Sequence, residues 1–208
     1  MKGNILIGMV FLWLATGCAA GKVGVYSIQM QDVERTPIDG THEVMFSTAG
    51  LASGGTAYIF EDPVLYIRWQ ISNTQFSFTL KNKSRVPMTI HWDDAYYINP
   101  QGDTLRVIHD GIDFARKDSL QGPTILAIGA FLDDFLIPAQ HISEDVQNFS
   151  SWKINHLFYD KRNSVGDKVS IMLPVEPLCK EPYYYTFRFL VNNWSNKENR
   201  KSLLDWLQ

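Results

Sequence analysis

The chain has 208 residues, of which 45% are hydrophobic and 13% aromatic, and its formal net charge is −3. This composition provides enough apolar side chains for a folded core and argues against an intrinsically disordered chain. No run of basic residues follows the pattern that tracks a phosphate backbone, so nucleic acid is not expected as a partner.

The first 17 residues have the organisation of a secretion signal. Lys2 precedes an apolar run over residues 5–15. As a helix this run measures about 16 Å, which suits the apolar region of a signal peptide. Spanning a bilayer core takes about 20 residues. A buried core helix is the alternative, and we predict a signal peptide over residues 1–17.

The end of this segment, Leu14-Ala15-Thr16-Gly17-Cys18, resembles the lipobox of bacterial lipoproteins. The resemblance implies cleavage between Gly17 and Cys18, attachment of diacylglycerol to the Cys18 thiol and acylation (for example with palmitate) of the new amine. Ala15 departs from the leucine that is commonest three residues before the cysteine. In the alternative interpretation Cys18 is unmodified and the protein is secreted without an anchor.

The lipobox resemblance also implies a location. In the sorting rule of enteric bacteria, an aspartate directly after the lipidated cysteine retains a lipoprotein at the inner membrane, and here this position is Ala19. We therefore expect a lipid-anchored protein of the bacterial cell envelope, in the outer membrane and facing the periplasm.

The residues after the anchor divide into two parts. Residues 18–55 are predicted to form the lipid-anchored segment and a flexible tether, because residues 36–55 resemble a loop and end in a run of small and glycine residues. Within this part, apolar and polar side chains alternate only weakly over residues 22–30, so this stretch suits either a strand or a tether. The folded domain is expected over residues 56–208.

From Thr56 onward, short β-forming runs alternate with turn residues. In one of them Phe76, Phe78 and Leu80 alternate with polar side chains, which is the period of a half-buried strand. Strands are predicted at 57–60, 64–71, 76–81, 88–93, 105–109, 124–128, 131–137, 152–159, 168–173 and 183–191. This spacing predicts an all-β sandwich or barrel. Ser195 and Glu198 form a capping box that predicts a short C-terminal helix over 196–207.

A second resemblance covers about a third of the chain. It is carried by Phe76-Ser77-Phe78, Asn82-Lys83-Ser84, Trp92-Asp93, residues 106–111, Pro123-Thr124 and residues 134–138. The stretch 76–142 resembles a domain of uncharacterised bacterial lipoproteins with an immunoglobulin-like β-sandwich. The resemblance implies an all-β, immunoglobulin-like β-sandwich and no particular activity.

Histidine and carboxylate residues suggest a metal site as an alternative function. His91 and Asp93 are two residues apart on a predicted strand and would face the same side, and pairing of strands could bring His109 to them. Such a set binds Zn²⁺ in metal-dependent hydrolases. The competing interpretation is that these groups satisfy turns and strands. The adjacent pair Asp133-Asp134 would point to opposite faces of a strand, which argues against joint acid–base work.

The chain carries none of the usual catalytic signatures. It has no nucleophile-elbow frame, no phosphate-binding glycine loop and no C-x-x-C pair, so no cofactor is predicted and an enzyme is disfavoured. With lipid on Cys18, Cys179 has no intramolecular partner. We interpret Cys179 as a small buried residue; a free thiol or an intermolecular link are the alternatives.

The aromatic run Tyr183-Tyr184-Tyr185 is the candidate partner surface. Alternation along a strand turns at least one of these rings away from its neighbours. Together with the predicted anchor, these features favour a non-enzymatic binding or assembly module of the cell envelope. Its partners would be the membrane, through the lipid, and an envelope protein or glycan.

Overall fold

The computed structural model describes residues 25–38, 44–51, 55–145, 152–158 and 164–195. These residues form fourteen strands and three short 3-10 turns. The strands are β1 (Val25–Thr36), β2 (Met45–Gly50), β3 (Thr56–Glu61), β4 (Leu65–Ile71), β5 (Phe76–Asn82), β6 (Met88–Ile90), β7 (Tyr96–Ile98), β8 (Thr104–Ile108), β9 (Thr124–Leu126), β10 (Phe131–Pro138), β11 (Ile142–Glu144), β12 (Trp152–Ile154), β13 (Lys168–Pro177) and β14 (Tyr183–Ser195). The 3-10 turns are Trp92–Asp94, Phe114–Arg116 and Ala139–His141.

Twelve of these strands form one antiparallel sheet, which confirms the all-β prediction. Its order is β1-β14-β13-β7-β8-β10-β5-β4-β3-β2, and β6 joins it through β13 and carries β9 on its other edge. Strands β11 and β12 form a separate two-stranded antiparallel sheet. Within the described ranges, no helix has the length and apolar character needed to cross a membrane.

The sheet curls so that its first strand approaches β3. The Tyr58 hydroxyl of β3 donates to the backbone oxygen of Ile28 in β1. Further along β1, Arg35 forms an ion pair with Asp62, which directly follows β3. The two halves of the sheet therefore face each other across a common interior.

Aromatic rings fill this interior. Trp69 of β4 is fully buried, and its ring centroid lies 5.0 Å from that of Phe78, 5.1 Å from that of Phe187 and 6.0 Å from that of Phe189. Rings this close contribute about 0.5–1.5 kcal/mol per pair beyond the burial of their area. The alternation of β4 and β5 places one set of side chains in this core and leaves the other set on the outside.

Asp62 is a buried carboxylate with four hydrogen-bond donors. Its oxygens accept from Arg35 at 2.8 Å, from the Tyr185 hydroxyl at 2.9 Å and from the amides of Val64 and Leu65 at 2.8 Å each. These bonds satisfy the charge, which would otherwise be costly to bury. They also join β1, β14 and the turn between β3 and β4 at one end of the core.

Two asparagines hold the turns on which the sheet depends. The buried Asn82 side chain donates to the backbone oxygens of Val86 and Leu126 and accepts from the amide and hydroxyl of Ser84, which holds the turn after β5. Asn99 accepts from the amide of Asp103, closing the turn that joins β7 to β8.

The structure differs from expectation in the N-terminal part. Strands β1 and β2 lie within the segment assigned to a tether, yet β1 pairs along β14 and β2 pairs along β3. The strand alternative for residues 22–30 agrees with β1, which extends to Thr36, whereas β2 was not predicted because its side chains lie mostly on the surface.

Other local predictions also need correction. The strand predicted over 88–93 ends at Ile90, because residues 92–94 form a 3-10 turn closed by the Ala95 amide on the Trp92 oxygen. His91 and Asp93 therefore do not share a strand. Cys179 is exposed rather than buried, because it occupies the turn after β13 with φ of 63°. The helix predicted over 196–207 lies outside the described residues.

Candidate functional site

A groove lies on the solvent-facing side of β3, β4, β5 and β10, and we call it the outer groove. Its volume is about 520 Å³. The side chains that line it are three cations, two acids, two aromatic rings and one hydroxyl: Arg68, Lys81, Lys83, Glu61, Asp133, Tyr66, Phe131 and Thr79. The outer groove therefore combines charge with apolar ring surface.

The geometry of the strands places these side chains together. Alternate residues of β4 and β5 are buried, and the residues between them face the outer groove. The antiparallel register aligns the outward residues of β4, β5 and β10 in two neighbouring rows: Tyr66, Lys81 and Phe131, then Arg68, Thr79 and Asp133. Strand β10 is distant in sequence, so only the folded sheet assembles the groove.

One cation of the outer groove is already neutralised. The Lys83 ammonium lies 2.6 Å from the Glu61 carboxylate and also donates to the backbone oxygen of Asp62 at 2.9 Å. Partly exposed pairs of this kind contribute at most about 1 kcal/mol. The pair removes Lys83 and Glu61 from the charges that are left for a ligand.

The far side of the groove presents a ring and a carboxylate. Phe131 is 59% exposed, and the Lys81 ammonium lies 4.9 Å from its ring centroid. Next to this pair, the Thr79 hydroxyl donates to Asp133 Oδ1 at 2.5 Å, which leaves the second oxygen of the carboxylate facing solvent-accessible space.

Arg68 has no ion-pair partner among the residues that the structure describes. It lies on β4 between Ile59 of β3 and Thr79 of β5. The side chain is half-buried, and its Nε is shielded from solvent without an acceptor among the residues that the structure describes. No described carboxylate offsets the charge of this guanidinium, so its terminal nitrogens are left to pair with an anion placed against Arg68.

The outer groove can recognise a ligand non-covalently. A guanidinium binds a carboxylate or phosphate through paired hydrogen bonds. Aromatic rings pack against the apolar face of a ligand. The Asp133 carboxylate accepts hydrogen bonds from hydroxyl groups.

The three residues suggested as metal ligands are engaged with other partners. His91 Nε2 lies 2.6 Å from Glu176, and Asp93 pairs with Arg106 and accepts from the amide of Gln121 at 3.0 Å. Among the described residues, no group of three or more His, Cys, Asp or Glu side chains is arranged to hold a metal ion.

His109 belongs to a separate polar cluster on the opposite face of β10. Its Nδ1 lies 3.2 Å from Asp134, and its ring stacks on Trp92 with centroids 4.3 Å apart. Trp92 in turn donates to the Thr124 hydroxyl at 2.8 Å. No described serine, threonine or cysteine bonds to the His109 ring, so the pair with Asp134 orders β8 against β10. Asp133 and Asp134 lie on opposite faces of the strand.

The tyrosine run is divided between the core and the surface. Tyr183 and Tyr185 are 3% and 0% exposed, whereas Tyr184 is 38% exposed. Burial and the nearby Asp62 charge raise the pKa of Tyr185 above its usual value. Of the three candidates for a partner surface, Tyr184 is the one whose ring reaches solvent.

The sequence analysis did not identify the residues of the outer groove as a site, although the alternation of β4 indicates an outward polar face. In β4, buried residues alternate with Tyr66, Arg68 and Gln70. This alternation marks an outward strand face that carries polar and charged side chains. The remaining predicted site residues, Gly17 and Cys18, lie outside the described ranges.

Comparison of the chain with protein-family models, with curated proteins and with solved structures finds no match.

Proposed function

We propose that this protein is a lipid-anchored binding module of the bacterial cell envelope and that the outer groove is its binding face. The observation that carries the proposal is Arg68, a half-buried cation without a protein partner among the described residues, in a groove that also exposes the Phe131 ring. A charged concave surface with an exposed ring suits recognition of a partner, and the envelope offers proteins and glycans as partners.

The anchor is the second part of the proposal. It is supported by the lipobox resemblance that ends at Cys18, and Ala19 favours the outer membrane, facing the periplasm. Two or three acyl chains hold a protein on a membrane durably, whereas one chain holds it only marginally.

The proposal extends to the finer architecture. We propose an immunoglobulin-like β-sandwich with a helix over 196–207. It is supported by the facing halves of the curled sheet, which meet through contacts such as those of Trp69 with Phe187 and Phe189. An experimental structure of the full chain would test both features.

The anchor is tested by metabolic labelling with a radioactive fatty acid, followed by membrane fractionation. The Cys18→Ala variant should lose the label and leave the membrane fraction. Cys179→Ala is the matched control, because it removes the other cysteine of the chain and should keep label and location. Membrane fractionation that is unchanged in Cys18→Ala would disprove the anchor.

The binding face is tested by crosslinking in intact cells. C-terminally tagged protein is purified after crosslinking, and the captured molecules are compared between wild type, Arg68→Gln and Arg116→Gln. Arg116 is an exposed arginine of a 3-10 turn outside the outer groove, so it controls for loss of positive charge. Loss of a captured molecule in Arg68→Gln alone supports the proposal. Equal capture by all three proteins contradicts it.

A further inference from the structure

We infer that the outer groove binds a carboxylated sugar, such as an acidic unit of an envelope glycan. This inference rests on the proposed binding function and names the chemical class of its ligand. The evidence is the combination, in one groove, of a guanidinium that no described residue pairs with, an acceptor carboxylate and exposed aromatic surface.

The carboxylate of the ligand belongs at Arg68. The planar guanidinium offers donors in a fork that matches a carboxylate, and pairing in this geometry is stronger than a neutral hydrogen bond. Because the Nε of Arg68 is shielded from solvent, the two terminal nitrogens are the ones that a ligand reaches. Lys81, in the neighbouring row, adds a second positive charge that no described carboxylate neutralises.

The rest of the groove favours a sugar over a simple anion. Asp133 lies in the same cross-strand row as Arg68, one residue away across Thr79. Its carboxylate repels a bare anion but accepts hydrogen bonds from sugar hydroxyls, and the Thr79 oxygen, whose proton goes to Asp133, can accept from the same groups. A ligand that is anionic at one end and rich in hydroxyls at the other meets both requirements.

The aromatic side chains provide for the apolar face of the ring. Tyr66 and Phe131 occupy the two ends of one cross-strand row, with Lys81 between them. The faces of a pyranose that carry C–H groups pack on such rings, and binding surfaces are enriched in them. The volume of about 520 Å³ lies within the range of small-ligand sites.

The inference is tested by calorimetric titration of the full chain in detergent. The probes are glucuronate, galacturonate and N-acetylmuramate, with glucose, acetate and inorganic phosphate as controls. At least one carboxylated sugar should bind saturably and about tenfold more tightly than glucose or acetate, since tenfold corresponds to one modest charged contact. Glucose lacks the carboxylate, acetate lacks the ring, and phosphate represents an anion site without sugar preference.

Variants then assign the contacts. Arg68→Gln should weaken binding about tenfold or more, and Arg68→Lys should recover only part of the loss because a lysine cannot form the paired contact. Phe131→Ala should weaken binding severalfold. Arg116→Gln should bind like wild type.

Three outcomes would overturn the inference: no carboxylated sugar binds, acetate or phosphate binds as tightly as the sugars, or Arg68→Gln binds normally. If the sugars fail while Arg68→Gln still loses its crosslinked partner in cells, the binding function stands and the ligand class is wrong. If capture in cells is also unaffected, both proposals fail.

Discussion

The Arg35 guanidinium donates to the Asp62 carboxylate at 2.8 Å, and this bond fixes the N-terminal strand to the turn that follows β3. The two side chains are 12% and 2% exposed, so the ion pair lies mostly inside the protein. It shows that β1 belongs to the folded body, because the charge of Asp62 is balanced by a residue of β1.

Replacement of Asp62 should strongly destabilise the protein. The Asp62→Ala variant removes the buried carboxylate that accepts from Arg35 and from the Tyr185 hydroxyl. Breaking a buried ion pair by removing one partner costs about 3–5 kcal/mol. We expect a loss of about 3 kcal/mol in the free energy of unfolding, measured by urea denaturation.

Asp118→Ala provides the control for this measurement. The Asp118 side chain is 82% exposed, and its ion pair with Lys117 spans 3.5 Å on the surface. Its loss should change the free energy of unfolding by less than about 0.5 kcal/mol. Similar values for the two variants would mean that the Asp62 network does not stabilise the fold.

The core and the groove should respond differently to the loss of an aromatic ring. Trp69→Ala opens a cavity among fully buried rings and should cost about 3–5 kcal/mol. Phe131→Ala removes an exposed ring and should change stability by less than about 0.5 kcal/mol. Thermal or urea denaturation measures both. A large loss for Phe131→Ala would show that this ring holds the fold rather than a ligand.

Stability should fall at alkaline pH because of buried tyrosines. Burial, with a neighbouring carboxylate, raises the pKa of Tyr185 and of Tyr97 above the usual value of 10.0. Above pH 10 the unfolded chain therefore releases phenol protons that the folded protein still holds. The stabilisation is complete below pH 10 and declines above it, by up to about 1.4 kcal/mol per pH unit for each tyrosine.

The slope is measured by urea denaturation between pH 8 and 11. Tyr185→Phe should reduce the slope by up to one proton, whereas Tyr184→Phe, which removes a hydroxyl from an exposed ring, serves as the control. A slope that Tyr185→Phe leaves unchanged would contradict the assignment.

Zinc should not stabilise the protein. His91 is engaged with Glu176, and Asp93 with Arg106, so a metal ion would have to displace existing ion pairs. We expect no rise in the melting temperature when Zn²⁺ is added and no fall with a chelator. Stoichiometric metal in the purified protein, bound through His91, Asp93 and His109, would instead support the alternative of a metal-dependent hydrolase.

The sequence predicted those strands in which apolar and polar side chains alternate. Strand β5 was predicted over 76–81 and observed at Phe76–Asn82, because one face of this strand is buried and the other is not. Strand β2 carries no such pattern, since five of its six residues are exposed and the other is half-buried, and only its pairing with β3 defines it.

Proline obscured the length of β13. The strand was predicted over 168–173, and the residue that follows, Pro174, lacks an amide proton for the ladder. In the structure it continues to Pro177, and the Pro174 oxygen accepts from the His91 amide at 3.3 Å. Proline removes a donor but keeps its acceptor, so the strand continues there.

The outward-facing residues of the outer groove could be recognised in the sequence, but not their assembly, because a single sequence does not specify which strands pair or in which register. Arg68 and Asp133 are 65 residues apart in the chain, and the position of β10 beside β5 decides that they share a row. Local alternation indicates which residues face outward, but not which of them meet.

The pairing of β1 with β14 also limits how far the protein can reach. An anchor at Cys18 would be separated from the start of β1 at Val25 by seven peptide steps, which span at most about 25 Å in any conformation. A tether running from residue 18 to residue 55 would have allowed well over 100 Å by the same rule. With lipid on Cys18, the folded body stays beside the bilayer, and whatever occupies the outer groove must come to the membrane surface.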